Sequence, residues 1–127
     1  AIGNGGKIFR PFIVSNFKYP ELETDLSNLQ TQISEVKKGM VSAVNFSLGT
    51  AYLLHDLPVP VAAKTGTAQT RSNTQANAFF VGFAPAEDPK IAILILVERS
   101  REGSLNTVPI AKDILNWYYL NRIKNAK

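Results

Sequence analysis

Residues Lys64-Thr65-Gly66-Thr67-Ala68-Gln69 place an amine, two hydroxyls and a carboxamide around one glycine. The apolar run Val59-Pro60-Val61-Ala62-Ala63 before them and the polar stretch Thr70-Arg71-Ser72-Asn73-Thr74-Gln75 after them suggest a strand leading into a loop. Side chains on a strand alternate, so Lys64, Gly66 and Ala68 share one face and Thr65, Thr67 and Gln69 the other. Gly66 lets a second backbone lie close against this strand. That arrangement suits an extended peptide added by main-chain pairing, with the hydroxyls serving a carboxylate. The Thr67 amide would stabilise a developing oxyanion, a contribution of about 2.7–4 kcal/mol where such donors have been removed. Lys64 would add positive charge for an anionic substrate and ease proton transfer between hydroxyls. The chemistry is acyl transfer, and it needs a nucleophile. A Lys-Thr-Gly triplet arises by chance in a chain this long on the order of a few per cent of the time, so its context must carry the reading.

That strand needs a sheet. Val61 to Gln69, Ala76 to Ala84 and Ile91 to Glu98 read as three strands, the last two joined by Pro85-Ala86-Glu87-Asp88-Pro89. So short a connection permits an antiparallel neighbour and excludes a parallel crossover. The second and third strands are apolar on both faces and predict cover on both sides. Ile33, Val36, Met40 and Val44 recur at helical spacing from a candidate N-cap, Thr31, to about Phe46, with Gly49 ending the helix. Thr107 predicts the start of a last helix with Val108, Ala111, Ile114, Leu115 and Tyr118 on one face. Two helices over three such strands leave apolar surface without cover. Ile8 to Val14 reads as an edge strand or extended loop because Pro11 lacks an amide hydrogen, and Tyr19 to Gln30 as a polar surface excursion. Ala1 to Gly6 resembles a glycine-rich helix exit that needs positive φ. The fold class is α/β of the α+β type: an antiparallel sheet with helices on both faces, in one domain.

Composition removes several alternatives. The 127 residues contain no cysteine and one histidine, His55, so disulfides, thiolate chemistry and Cys-based or two-histidine metal sites are excluded within this chain. No segment approaches the ~20 apolar residues that span a bilayer. The net charge of +4 is scattered, with Arg122, Lys124 and Lys127 suited to a helix C-terminus, and no basic stripe interleaved with aromatics points to nucleic acid.

Several stretches in order resemble the C-terminal part of class B penicillin-binding proteins, the peptidoglycan transpeptidases of the penicillin-binding protein 2 type: GNGGKIFRPFIV, GMVSAVN with GTAY after it, AAKTGTAQT, NAFFVGFAPAEDPKIAILILVE and VPIAKDILNWYYLNR. The departures are Ala63, where glycine is usual, and Phe79, where tryptophan is common. The resemblance implies part of the penicillin-binding-protein/β-lactamase-like fold. It passes the catalytic Lys-Thr-Gly roles to Lys64, Thr65 and Gly66, with carboxylate contact and an oxyanion-hole amide from Thr67 and substrate contact from Thr65. Apart from the resemblance, Gln69 and Arg71 follow the strand and would line the substrate groove, a position that solvated loop residues explain equally well. The resemblance implies attack on the D-Ala-D-Ala end of a stem peptide by a serine, an acyl-enzyme, and transfer to an amine. β-Lactams would acylate the same serine. The expected partners are stem peptide, β-lactams and the remainder of the transpeptidase domain, with self-association of the 127 residues expected and no cofactor. The expected site is extracytoplasmic, in a protein anchored to the membrane by another segment. A serine β-lactamase or β-lactam sensor on the same fold, and a non-catalytic module binding peptide or protein at the Lys64 strand, are the competing readings.

The family's set also includes S-x-x-K and S-x-N, preceding Lys-Thr-Gly. Ser34-Glu35-Val36-Lys37 matches the first on a helix, but Glu35 and Lys38 mark a solvated stretch, whereas an activated lysine needs desolvation. It also lies only 27 positions (64 minus 37) before Lys64, too near for the family's order. Ser104-Leu105-Asn106 matches the second but follows Lys64, and helix capping explains it. His55 with Asp56 reads as a surface pair with no serine beside it, and Trp117, Tyr118 and Tyr119 as packing. The nucleophile is expected outside this chain, which alone should be inactive.

Overall fold

The computed structural model describes residues 1–13, 20–69, 75–100 and 103–125. Among the described residues, five strands and two long helices order as β1 (Lys7–Phe9), β2 (Leu22–Asp25), α1 (Gln30–Asn45), β3 (Ala62–Gln69), β4 (Ala76–Ala84), β5 (Ile91–Ser100) and α2 (Gly103–Tyr118). Short 3₁₀ turns occupy Ile2–Asn4, Ser27–Leu29 and Tyr52–Leu54, and a π-helical turn at Tyr119–Ile123 prolongs α2.

The central sheet is antiparallel in the order β3-β4-β5, as the short connection required. Lys64 stands opposite Val81, and Val81 opposite Leu94. Thr65, Phe80 and Ile95 form the adjacent row. Opposed residues share a face, so the register divides the sheet cleanly in two. On the Thr65 face, Val61, Ala63, Phe80 and Ala84 pack with Val108, Ala111 and Leu115 of α2, and Ile91, Ile93 and Ile95 close the layer. On the Lys64 face, Met40 of α1 covers Ala62 and Phe83. Beyond that contact Val81, Leu94 and Leu96 are 43%, 70% and 45% exposed. Helices thus lie on both faces, with one face only partly covered.

Glycines permit close approaches at Gly82 and Gly49. A Cβ at Gly82 would lie 2.9 Å from the Phe80 ring and 3.0 Å from the Ala62 carbonyl oxygen. At Gly49 it would lie 2.2 Å from the Ala43 carbonyl oxygen, which is how the chain leaving α1 folds back on that helix. The expected positive φ near the start is present at Gly5 (75°) and Gly6 (101°), after the first 3₁₀ turn. The β4–β5 ladder gains one residue in β5 between Ala76 and Ala78, and Arg99 in that bulge takes φ 54°, its amide donating to Asn77 Oδ1. The Ala84–Pro85 peptide is cis.

Three expectations are corrected. The polar stretch before α1 contains β2, whose residues Leu22-Glu23-Thr24-Asp25 are all exposed and are held by pairing with β1, not by burial. Arg10 beyond β1 continues the pairing through its amide to the Glu21 carbonyl, and β1 itself stops before Pro11; Val14 and Tyr19 lie outside the described residues. Helix α1 begins at Gln30 with no side-chain cap, because the preceding 3₁₀ turn feeds it directly, so Thr31 is inside it. Helix α2 begins at Gly103, so Thr107 is a fully buried interior residue and not its cap. Pro109 stands inside α2, where its ring withholds the amide that the Leu105 carbonyl would otherwise receive.

Candidate active-site strand

Strand β3 carries every residue from Lys64 to Gln69, and it is an edge strand of its sheet. Its pairing with β4 runs without interruption from Ala62–Phe83 to Gln69–Ala76, which fixes which side chain faces which way. Lys64 lies on the partly covered face and lines an open cavity of about 960 Å³. Val36 and Met40 of α1, Val81 and Phe83 of β4, and Ala92 of β5 share its walls with residues 1–4 and the turn at Pro89 and Lys90. The Lys64 ammonium donates to the Thr65 carbonyl. In an extended strand a residue's N–H and C=O point to the same side and alternate along the chain. The Thr67 amide therefore points to the side that the Thr65 carbonyl faces.

Thr65 lies on the opposite face, 8% exposed, and its hydroxyl donates to the Thr50 hydroxyl at 2.8 Å. Thr67 and Gln69 are exposed. A Cβ at Gly66 would approach Phe79 Cβ at 3.5 Å, an ordinary van der Waals distance, so packing by the described neighbours does not require glycine there. Arg71, expected beside the groove, lies outside the described residues.

The remaining candidates fall elsewhere. Ser34 is exposed on α1, and the lysine three positions on is ion-paired with Glu87 at 3.6 Å, while Lys38 pairs with Glu35 at 2.6 Å. A serine exposed on a helix surface lacks the desolvated pocket in which a lysine would activate it. Ser104 and Asn106 lie in the first turn of α2. His55 stacks on Tyr52 with ring centroids 4.1 Å apart, and its Nδ1 is 2.8 Å from the Tyr52 carbonyl oxygen. Asp56 pairs with Lys112 at 2.8 Å, and the hydrogen bond from that ammonium holds its carboxyl below the usual carboxylate range. No proton relay links His55 to Asp56.

Thr50 was not singled out as a functional residue in the sequence. It is 15 positions before Thr65, and its one signal was membership of the GTAY stretch. The wall opposite Lys64 was also hidden, because it depends on the pairing of Val81 with Leu94.

The penicillin binding protein transpeptidase domain model matches residues 1–116. The peptidoglycan D,D-transpeptidase PbpA of Mycobacterium tuberculosis is 30% identical over 132 aligned residues, which take in 90% of this chain and 26% of PbpA. The penicillin-binding protein PBP2 of Helicobacter pylori superposes with a TM-score of 0.82 at 31% identity, over 96% of this chain and 23% of that one. The imipenem acyl-enzyme of penicillin-binding protein A from M. tuberculosis superposes with a TM-score of 0.72 at 27% identity, over 90% of this chain and 27% of that one. The chain spans about a quarter of the length of the curated relatives it matches. With the strand geometry, the sheet order and a family match over 116 of 127 residues in agreement, this chain belongs to the penicillin-binding protein transpeptidase domain family.

Proposed function

We infer that these residues are the C-terminal segment of a peptidoglycan D,D-transpeptidase and supply its substrate-binding strand. The observation that carries the reading is β3 itself. It is an edge strand whose Lys64 opens on the 960 Å³ cavity on one face and whose Thr67 is exposed on the other. A stem peptide lies along this edge in extended form, paired through its main chain. The Thr65 and Thr67 hydroxyls, which share a face, serve its terminal carboxylate, Lys64 adds positive charge from the other face, Gln69 contacts the chain farther along, and Gly66 lets the peptide backbone approach.

The serine comes from outside residues 1–127. It attacks the D-Ala-D-Ala carbonyl, the Thr67 amide stabilises the resulting oxyanion, and D-alanine leaves with the proton taken from the serine. The acyl group then passes to an amine of a neighbouring stem, restoring the serine hydroxyl. A β-lactam follows the first half of this path, and its opened ring stays attached as the acyl group. Lys64 contributes positive charge near both the carboxylate and the serine proton's route.

The partly bare sheet face supports the same reading. Leu94 and Leu96, on the Lys64 face but outside the lining of the cavity, form exposed apolar surface, which the rest of a transpeptidase domain covers. Among the described residues no helix is long and apolar enough to cross a membrane. An extracytoplasmic transpeptidase held at the membrane would be anchored through another segment.

The experiment is acylation of the full-length protein by a fluorescent penicillin. Lys64→Ala should slow acylation by about 10²-fold or more, the loss that follows removal of a single transition-state contact, with little change in melting temperature. An unchanged rate would make β3 a structural strand and refute the proposed role.

A further inference from the structure

Thr65 has a partner that the acyl-transfer scheme above does not use. Its buried hydroxyl donates to Thr50, which is itself exposed. Thr50 sits in a segment fixed on both sides. The Gly49 amide donates to the Phe46 carbonyl at 2.8 Å, the Ala51 amide to the Ala43 carbonyl at 3.0 Å, and the Tyr52 amide to the Gly49 carbonyl at 3.0 Å. The Ala51 side chain is fully buried in the core against α2, and the Ala43 carbonyl leaves no room for a side chain at Gly49. Thr50 is therefore anchored to the C-terminal end of α1 and holds β3 from that side.

We propose that Thr50 is a positioning residue for the transpeptidase site, acting through the Thr65 hydroxyl on ligands that carry a carboxylate. The proposal rests on the transpeptidase reading. A threonine hydroxyl has one proton and two acceptor lone pairs. While Thr65 donates to Thr50, it has no proton for an anion. When a carboxylate binds, the pair reverses: Thr50 donates to Thr65, and the Thr65 proton turns to the carboxylate. Both changes are rotations about C–O bonds, so no bond breaks and the proton count is unchanged. The chain Thr50 to Thr65 to carboxylate polarises in one direction, which strengthens the outer bond. Valine at position 50 keeps the shape and removes the donor, so Thr65 must serve the carboxylate with no donor behind it.

The test uses the full-length protein and a carboxylate-bearing penicillin, with the binding constant and the maximal acylation rate measured separately. Thr50→Val should weaken binding roughly threefold, the worth of the polarisation that a second hydroxyl adds behind a charge-assisted hydrogen bond, and leave the maximal rate unchanged. Thr50→Ser should bind like the wild type. In a Thr65→Val background Thr50→Val should add nothing, because the path runs through the missing hydroxyl. If valine crowds the site and the variant does not fold, Thr50→Ala provides the same comparison. Binding unchanged in Thr50→Val, no recovery in Thr50→Ser, or an equal loss with and without Thr65 would each overturn the proposal. A wild-type protein that is not acylated at all would refute the transpeptidase reading and this proposal with it. Normal acylation whose rate falls in Lys64→Ala, together with penicillin binding that is unchanged in Thr50→Val, would refute this proposal alone.

Discussion

Leu94→Ala distinguishes a sheet face that belongs in water from one that belongs in a core. Leu94 is 70% exposed and stands in the row with Val81 and Lys64. In the 127-residue chain the substitution removes atoms already in contact with water, and a surface change of that kind shifts stability by no more than about 0.5 kcal/mol. In the full-length protein a covering layer would bury the remaining seven-tenths of the side chain. Full burial of a leucine is worth about 1.5–3 kcal/mol, so that fraction alone accounts for about 1–2 kcal/mol. The cavity left behind raises the cost into the lower part of the ~2–5 kcal/mol range for buried Leu→Ala changes. Phe80→Ala is the control: its ring is fully buried against α2, and the loss should be about 3–5 kcal/mol in both proteins. The assay is urea unfolding of both proteins, comparing midpoint and slope for each variant. The same small change for Leu94→Ala in both would mean that the face stays bare and would refute the covering layer. A large loss in the 127-residue chain would mean that its own residues already bury Leu94.

The close approaches at Gly82 and Gly49 predict overpacking: alanine at either position should cost about 1–3 kcal/mol in thermal unfolding, and more at Gly49, where the obstacle is backbone oxygen at 2.2 Å. A neutral Gly49→Ala would show that the chain after α1 shifts freely. Asp56 predicts an acid-side effect, because the Lys112 ammonium lowers its carboxyl pKa in the folded chain. The contribution of a depressed carboxylate is present above its unfolded pKa, about 3.9, and is lost as pH falls through the lower folded value. In Lys112→Met the Asp56 carboxyl, followed by NMR titration, should titrate at higher pH, and an unchanged titration would remove Lys112 as the cause.

The strands of the central sheet were legible because Ala78 to Phe83 and Ile91 to Val97 are long apolar runs with a short proline-bounded turn between them. Their register was not legible, and it is the register that sets Lys64 beside Val81 and Leu94 and Thr65 beside Phe80. Strand β2 escaped notice because Leu22-Glu23-Thr24-Asp25 has neither apolar alternation nor β-branched density, and tertiary pairing with β1 decides its state. The start of α2 was misplaced because Thr107 read as its N-cap and Ser104 and Asn106 as residues that cap free amides just before a helix. Burial of Thr107 and Val108 against the sheet outweighs those local preferences. Lys64 to Gln69 announced itself by residue type and alternation. Thr50 did not, since a contact between two threonines 15 positions apart leaves no periodic trace.

The most direct measurement of the central claim is intact-mass and peptide mapping after penicillin treatment, run on the full-length protein, on its Lys64→Ala variant and on the 127-residue chain. The expected result is one covalent adduct on a serine outside residues 1–127, formed far more slowly in Lys64→Ala, and none on the 127-residue chain. An adduct on the 127-residue chain that disappears in Ser34→Ala, or an adduct on the full-length protein that forms at the same rate without Lys64, would contradict it.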